Sequence, residues 1–156
     1  MKYELTNEKK EFLGRTLYRI RAVKDFELCD GTIIHAGELG GWIEKEYNLS
    51  QEGSAWVSGK AQVFGKARVF GDALVFGDAQ VSKATHYLVI SPVGSRNSFT
   101  TFYHDVGNDI SVRCGCFCGK LDAFLKVVKE THGDSKHGQV YKKAAELARL
   151  QIELEE

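Results

Sequence analysis

Two stretches in the second half of the chain combine basic side chains with glycines, which is the chemistry of an anion site. "SPVGSRN" is a predicted turn, and the glycines of "RCGCFCGKLD" come directly before a predicted helix. Free N–H groups at a helix start, together with the helix dipole, attract phosphate. If the strands between them bring both loops together, they hold a phosphate-bearing ligand beside an aromatic ring; the alternative is a hairpin turn and a helix cap. The candidate ligand-binding residues are Ser95, Arg96, Asn97, Phe102, Tyr103, Arg113 and Lys120.

Three cysteines alternate within the second stretch: Cys114, Cys116 and Cys118. On a continuing strand all three project to one face, either as three buried thiols or as three metal ligands. Zinc sites pair cysteines two to four residues apart and need a second ligand pair, for which Cys29, His132 and His137 are available. We adopt burial, because cysteine is commonly buried, and we expect neither a metal nor another cofactor.

The composition bounds the function. The chain has 156 residues, 43% hydrophobic and 27% charged, with 21 basic against 21 acidic groups. A zero net charge provides no field that would steer the protein to nucleic acid or to an anionic membrane, and no apolar run reaches the length of a membrane span. The opening "MKYELTNEKKEF" lacks the apolar run of a secretory signal, so we expect a cytoplasmic protein with reduced thiols.

A six-residue repeat dominates the middle of the chain. One column holds Val57, Val63, Val69, Val75 and Val81, and another holds Ala55, Ala61, Ala67, Ala73 and Ala79. A period of six matches neither an amphipathic helix nor a simple strand. The repeat therefore predicts a solenoid in which each hexad makes one short strand and one bend, with the valines buried and a glycine allowing the bend.

The hexads resemble the hexapeptide-repeat family, whose fold is a left-handed parallel β-helix. This resemblance implies homotrimers with grooves between neighbouring prisms. The whole chain also resembles phage and prophage hexapeptide-repeat proteins, through "DGTIIHAGELGGWIEKEYNLS", the "VFGDA" hexads, "ISPVGSRNSFTTFY", "RCGCFCGKLDAF" and "KETHGDSKHG". That likeness implies a phage origin and transfers no catalytic residue.

Enzymes of the hexapeptide family transfer acyl groups from coenzyme A, and a histidine in the groove accepts the proton. None of the five histidines lies inside the regular hexads. His35 and His86 flank them and are the candidate bases of an acyltransferase.

Three phenylalanines follow inward valines and therefore point outward: Phe64, Phe70 and Phe76. Exposed aromatic groups of this size usually mark a contact surface. We expect them to be covered by the C-terminal helices or by an identical subunit, with a ligand groove as the alternative.

The predicted fold is mainly β with C-terminal α: a short left-handed parallel β-helix of two to three coils, followed by a three-stranded meander and two helices. Residues 1–50 form an N-terminal β cap and an irregular first coil, residues 51–85 the repeat, and residues 86–156 the meander and helices. The helices place Leu121, Phe124, Leu125 and Val128 on one face, and Val140, Ala144, Leu147, Ala148 and Ile152 on another.

We expect a non-enzymatic phage counter-defence protein in the host cell cytoplasm. It would sequester a small nucleotide-like immune signal or block a host defence protein. A hexapeptide acyltransferase and a structural trimerisation module are the alternatives. The expected partners are two further copies in a homotrimer and either a small phosphate-bearing ligand or a host defence protein, without membrane or nucleic acid.

Overall fold

The computed structural model describes residues 1–28, 31–71, 73–77, 79–114 and 117–154. The chain divides into two compact units, Met1–Ala84 and Thr85–Glu156. Each unit has its own sheet, and among the described residues only the second unit has α-helices.

The first unit begins with a long antiparallel hairpin, followed by short strands. The hairpin turns at Leu13 and Gly14, whose φ angles of 50° and 75° suit a two-residue hairpin turn. Leu17 and Ile20 are fully buried on its second strand. The strands are β1 Tyr3–Phe12, β2 Arg15–Ala22, β3 Phe26–Glu27, β4 Ile33–Ile34, β5 Leu39–Ile43, β6 Trp56–Val57, β7 Gln62–Val63, β8 Leu74–Val75 and β9 Gln80–Val81, with a 3-10 turn at Glu46–Asn48.

The main sheet of this unit is mixed. Its order is β1-β2-β5-β7-β9, antiparallel between β1, β2 and β5 and parallel from β5 to β7 and β9. Two further pairs are β3 with β4, antiparallel, and β6 with β8, parallel. The parallel pairs β6–β8 and β7–β9 join residues that lie three hexads apart, as in Val63 with Val81, whereas β5 and β7 pair residues twenty apart, as in Ile43 with Val63.

The predicted burial of the valine column is confirmed, because all five valines are 0% exposed. The alanine column is also buried, because its five side chains are 0 to 2% exposed. At one bend, steric crowding explains why the residue is glycine. Gly65 has a φ of 66°, and an added Cβ would lie 2.8 Å from the Ser82 carbonyl oxygen. A side chain there would therefore strain the backbone and push adjacent chain segments apart.

The prediction of a short left-handed parallel β-helix is wrong, although the mainly β content with two C-terminal helices is confirmed. The sheets are mixed, and the parallel pairs of the repeat are only two residues long. The ten-residue β1 and the eight-residue β2 instead form an extended antiparallel ladder that continues into β5. The valine period specifies which side chains are buried, but it does not specify which strand lies beside which.

The second unit is a four-stranded antiparallel meander followed by two helices. The order β10-β11-β12-β13 follows the chain. The prediction of three strands is therefore wrong, because Phe117–Lys120 adds a fourth strand where a loop before the helix was expected. The bounds are β10 Tyr87–Val93, β11 Ser98–His104, β12 Ile110–Cys114, β13 Phe117–Lys120, α1 Leu121–His132 and α2 Lys136–Gln151, with a 3-10 turn at Ala84–His86.

Both helices contribute to one core with the sheet. The predicted face of α1 is confirmed, since Leu121, Phe124 and Val128 are buried and Leu125 packs against them. In α2 the predicted face is rotated. Ala144, Ala148 and Ile152 are buried as expected, but the buried set also contains Gly138, Tyr141 and Ala145, whereas Leu147 is 46% exposed.

The lengths of the helices decide whether one of them could span a membrane. The longer helix, α2, has 16 residues, and a bilayer crossing needs about 20 apolar residues. Across the part of the chain that the structure describes, no helix is long and apolar enough to span a membrane.

Candidate functional site

The predicted phosphate turn lies between β10 and β11, at one end of the four-stranded sheet. Ser95, Arg96 and Asn97 are all exposed. Asn97 has a φ of 50°, and its N–H donates to the Gly94 carbonyl at 3.2 Å. A Cβ added at Gly94 would overlap the Tyr141 hydroxyl, so the turn is closely fitted to α2.

The strand register separates this turn from Lys120. Among the rows of paired residues that reach β12, the one nearest the turn contains Thr100, which pairs with Ile90 and Cys114. Lys120 pairs with Ser111, three residues along β12 from Cys114 in the direction away from the turn. At about 3.4 Å per residue this is roughly 10 Å, and Arg96 lies farther still. The structure therefore does not bring Arg96 and Lys120 into one site.

Phe102 and Tyr103 are neighbours on β11 and point to opposite faces of the sheet. Phe102 is 0% exposed and lies in the core, with its ring perpendicular to that of Phe124 at 6.0 Å. Tyr103 is 1% exposed on the other face, in register with Ser111. Neither ring presents an exposed face on which a ligand could stack.

Arg113 and Lys120 share the face of Tyr103, but Lys120 is engaged in an ion pair. Arg113 is half-buried opposite Cys118. The Lys120 ammonium lies 2.5 Å from Oδ2 of Asp105, whose side chain is 0% exposed. Lys120 also caps the start of α1, without a side-chain capping bond. Its charge is thus largely neutralised within the unit.

Asp105 organises the hairpin between β11 and β12. Its Oδ1 accepts from the backbone N–H groups of Gly107 at 2.9 Å and Asp109 at 3.2 Å, and its Oδ2 accepts from the Ser111 hydroxyl at 2.6 Å. Burial by itself would raise the pKa of Asp105, but the bonds from Lys120, Ser111 and Gly107 outweigh it and hold that pKa below 3.8. The carboxylate stabilises the loop as an anion.

The cysteines do not form a common face where they are described. Cys114 faces the core, accepts from the Thr100 hydroxyl at 3.1 Å and lies 3.6 Å from the Tyr141 oxygen. Cys118 pairs with Arg113 on the opposite face and is exposed. Cys116 and Cys29 lie outside the described residues. Within the described ranges, no group of three or more His, Cys, Asp and Glu is placed to hold a metal ion.

The two candidate bases of an acyltransferase have contrasting environments. The His35 side chain is 65% exposed, with Nδ1 3.6 Å from Oδ2 of Asp25. His86 is 1% exposed and stacks on His104, with ring centroids 4.5 Å apart. His35 is therefore open to solvent, whereas His86 is part of a buried stack.

The three outward phenylalanines have different environments. Phe64 is 4% exposed, because the hairpin covers it: the Phe12 ring lies 5.7 Å away and the Arg15 guanidinium also 5.7 Å. Phe76 is half-buried. Phe70 is 59% exposed. The cover over Phe64 thus comes from the unit's own N-terminal strands, and Phe70 is the ring that remains available.

Phe70 borders a pocket of about 360 Å³ in the first unit, lined by Ser50, Glu52, Gly53, Arg68, Phe70 and Gly71. Arg68 and Phe70 flank the buried Val69, so strand alternation directs both side chains outward. Tyr47 extends the surface: it is 51% exposed, and the Arg68 guanidinium lies 5.4 Å from its ring centre. We call this the Arg68 pocket.

One wall of the Arg68 pocket, the segment that contains Ser50, Glu52 and Gly53, is hydrogen-bonded to the start of β1. The buried Lys2 ammonium donates to the Ala55 carbonyl at 2.6 Å, and the Tyr3 hydroxyl donates to the Leu49 carbonyl at 2.5 Å. Gln51 also accepts the backbone N–H of Lys2 at 2.7 Å. Burial lowers the pKa of Lys2 to about 8. The segment that carries Ser50, Glu52 and Gly53 is therefore rigidly anchored.

The second wall is bonded to the first through the backbone. The Ser50 N–H donates to the Val69 carbonyl at 2.9 Å, and the Ala55 N–H donates to the Gly71 carbonyl at 3.0 Å. The buried Asn48 amide donates to the Ala67 carbonyl at 2.8 Å. Because the backbone of both walls is already hydrogen-bonded, little conformational entropy would be lost from them when a ligand binds.

The lining supplies three kinds of contact. Arg68 offers a planar cationic fork that suits phosphate or carboxylate. Phe70 offers an exposed ring for stacking, and the Glu52 carboxylate can accept hydrogen bonds from hydroxyl or amino groups. The glycines let a ligand approach the backbone closely. This combination fits a molecule that carries an anion, a planar ring and hydroxyl groups.

The sequence pattern predicts an outward Phe70, but Arg68, Glu52 and Tyr47 are not among the residues predicted for a site. A signal was present: the residue before the buried valine is Trp56, Gln62, Leu74 or Gln80 in the other hexads and is charged only at Arg68. Its position two residues before Phe70 predicts that both side chains leave the same face.

The chain matches no protein-family model, and no curated protein matches it. An assignment of function therefore depends on the geometry of the site.

Proposed function

We propose that this protein acts by binding, without turnover, a small nucleotide-like ligand in the Arg68 pocket. The observation that carries the proposal is the juxtaposition of an exposed arginine and an exposed phenylalanine, Arg68 and Phe70, on a pocket whose walls are already anchored. Arg68 binds the phosphate, Phe70 stacks on the base, and Glu52 accepts a ribose hydroxyl or a base amino group.

Binding is favoured over catalysis by the chemistry of the lining. Ser50 is the hydroxyl residue there, and its oxygen accepts from the Glu52 N–H at 3.1 Å. The described lining residues include no histidine or cysteine that would activate this hydroxyl or act as a nucleophile. A ligand held here would be retained rather than converted.

The biological role that we propose is sequestration. The likeness of the sequence to phage proteins favours a ligand that serves the host as an immune signal, and it favours action in the host cytoplasm. A protein that removes such a signal needs affinity and abundance, and it needs no catalytic group. Inhibition of a host defence protein is the competing role, and it requires no small ligand.

The test is calorimetric titration with ADP-ribose, cyclic dinucleotides, adenosine and inorganic phosphate. We expect at least one nucleotide to bind with a micromolar or lower dissociation constant and to exceed adenosine or phosphate alone. Arg68→Ala and Phe70→Ala should each weaken binding about tenfold, which corresponds to about 1.4 kcal/mol. Recovered ligand should be chemically intact by mass spectrometry.

Two exposed basic residues outside the pocket lining provide matched controls. Lys66→Ala changes a neighbouring hexad residue, and Arg96→Ala removes the guanidinium of the β10–β11 turn. Both variants should bind like the wild type. If Arg96→Ala were the only variant that lost affinity, the binding site would lie at the β10–β11 turn and not at the Arg68 pocket. Absence of binding at millimolar nucleotide would contradict the proposal and favour a protein target.

A further inference from the structure

Helix α2 carries a second apolar stripe beside its buried face. Val140, Leu147 and Leu154 follow one another at seven-residue steps, and Leu154 lies beyond the helix end. Leu150 lies three residues after Leu147. Leu147 is 46% exposed and Leu150 is 81% exposed. Seven- and three-residue steps of this kind are the spacing with which one helix packs along another.

A groove of about 470 Å³ runs beside this stripe. Its lining is Ile90, Lys136, Gln139, Val140, Lys143, Ala144 and Leu147. The floor is apolar, with Ile90 of β10 on one side and the helix on the other, and two lysines border it. The groove can therefore accept a leucine side chain whose own neighbours are acidic.

The charges along this segment are unevenly distributed. Its first part carries Lys136, Lys142 and Lys143, whereas Glu146 and Glu153 follow toward its end. Arg149 lies between these glutamates, but its guanidinium is paired with Asp122 of α1 at 2.9 Å. An antiparallel copy of the same segment would place its acidic end against the basic start. The surface is thus complementary to itself in charge as well as in apolar spacing, which is the requirement of a two-fold interface.

We propose that two copies of this chain associate through α2, antiparallel about a two-fold axis. Leu147 and Leu150 of each copy enter the groove of the other. In this register Lys136 faces Glu153 of the second copy, and the Lys143–Glu146 ion pair of each copy, 3.7 Å long, lies beside that of the other. The interface is independent of the Arg68 pocket, which lies in the other unit.

The first test measures molar mass by light scattering across concentrations up to about 100 µM. Leu147→Glu combined with Leu150→Glu should halve the mass of the wild type, because four charges would enter the interface. Both positions are exposed, so the melting temperature should stay close to that of the wild type. Val127→Glu, at a residue of α1 that is 41% exposed, is the matched control and should leave the mass unchanged.

The second test exchanges charges. Lys136 begins α2 and Glu153 lies beyond its end at Gln151, which is about 22 Å of helix away, so the two side chains cannot meet within one copy. At low salt, Lys136→Glu and Glu153→Lys should each raise the dissociation constant about fivefold, and the double variant should restore it. A monomeric wild type, a mass that the leucine variant does not alter, or a double variant as weak as the single ones would overturn the proposal.

Discussion

At the scale of single residues, burial decides what a charged side chain can do. Lys120 and Arg68 both suit phosphate by type, but the Lys120 ammonium is paired with the buried Asp105 carboxylate, whereas the exposed Arg68 lines a pocket. Asp105 has four donors and no exposed surface. We therefore interpret the Asp105 cluster as structural and the Arg68 pocket as the site for a ligand.

The structural role of Asp105 leads to a stability prediction. Asp105→Ala should lower the free energy of unfolding by about 3 kcal/mol, because Ser111 and two backbone N–H groups lose a buried acceptor. Asp122→Ala removes the same chemical group from an exposed ion pair, because the Asp122 side chain is 91% exposed beside Arg149. This substitution should lower the free energy of unfolding by less than about 1 kcal/mol. Urea denaturation measures both values, and equal losses would show that the cluster is not structural.

At the scale of elements, the hexad bends are constrained by the backbone of adjacent chain segments. Gly65 and Gly71 occupy the same hexad position and have almost the same φ, 66° and 64°. An added Cβ at Gly65 would lie 2.8 Å from the Ser82 carbonyl, whereas one at Gly71 would have no atom within 4 Å. The two bends share a conformation and differ only in their surroundings.

This difference predicts unequal effects of one substitution. Gly71→Ala should cost about 1 kcal/mol, the usual penalty for a left-handed backbone. Gly65→Ala should cost at least about 1 kcal/mol more, because the Ser82 backbone must move as well. Thermal unfolding of the two variants supplies the comparison. If Gly71→Ala proved as damaging as Gly65→Ala, close approach of the backbone would not be what selects glycine at position 65.

At the scale of the whole molecule, each unit contains a carboxylate that is stabilised as an anion. In the first unit, burial would raise the pKa of Glu44, but bonds from the Gly65 N–H at 2.9 Å and from Arg15 at 3.0 Å bring it below 4.5. In the second unit the same balance holds the pKa of Asp105 below 3.8. The two units thus have a common sensitivity to acid.

The sign of this sensitivity follows from proton linkage. A carboxylate with a lowered pKa in the folded state contributes its full stability above its ordinary pKa. It loses this contribution as the pH falls, because the unfolded chain takes up the proton first. The contribution of these carboxylates should therefore keep the melting temperature level between about pH 5 and pH 7 and make it decline below about pH 4.5. Asp105→Asn should flatten the decline, and an unchanged slope in that variant would exclude Asp105 as a source.

The candidate site could be predicted only in part. The outward direction of Phe70 follows from the valine beside it, and the same argument applies to Arg68. The predicted set around Arg96, Arg113 and Lys120 depended on two loops meeting, but the second stretch continues into β13, and the register of the meander places Lys120 at the end of the sheet opposite to the Arg96 turn. Residue type indicates possible chemistry, whereas proximity between distant loops depends on strand pairing.

The sequence by itself determined the buried valine and alanine columns, the two helices and the inner face of α1, because a period in apolar residues reports burial directly. Only the tertiary structure decided the mixed sheet, the fourth strand of the meander, the rotation of α2 that exposes Leu147, and the burial of Phe64 under Phe12. These features depend on which segments lie side by side, and the free energy of such contacts comes from residues far apart in the chain.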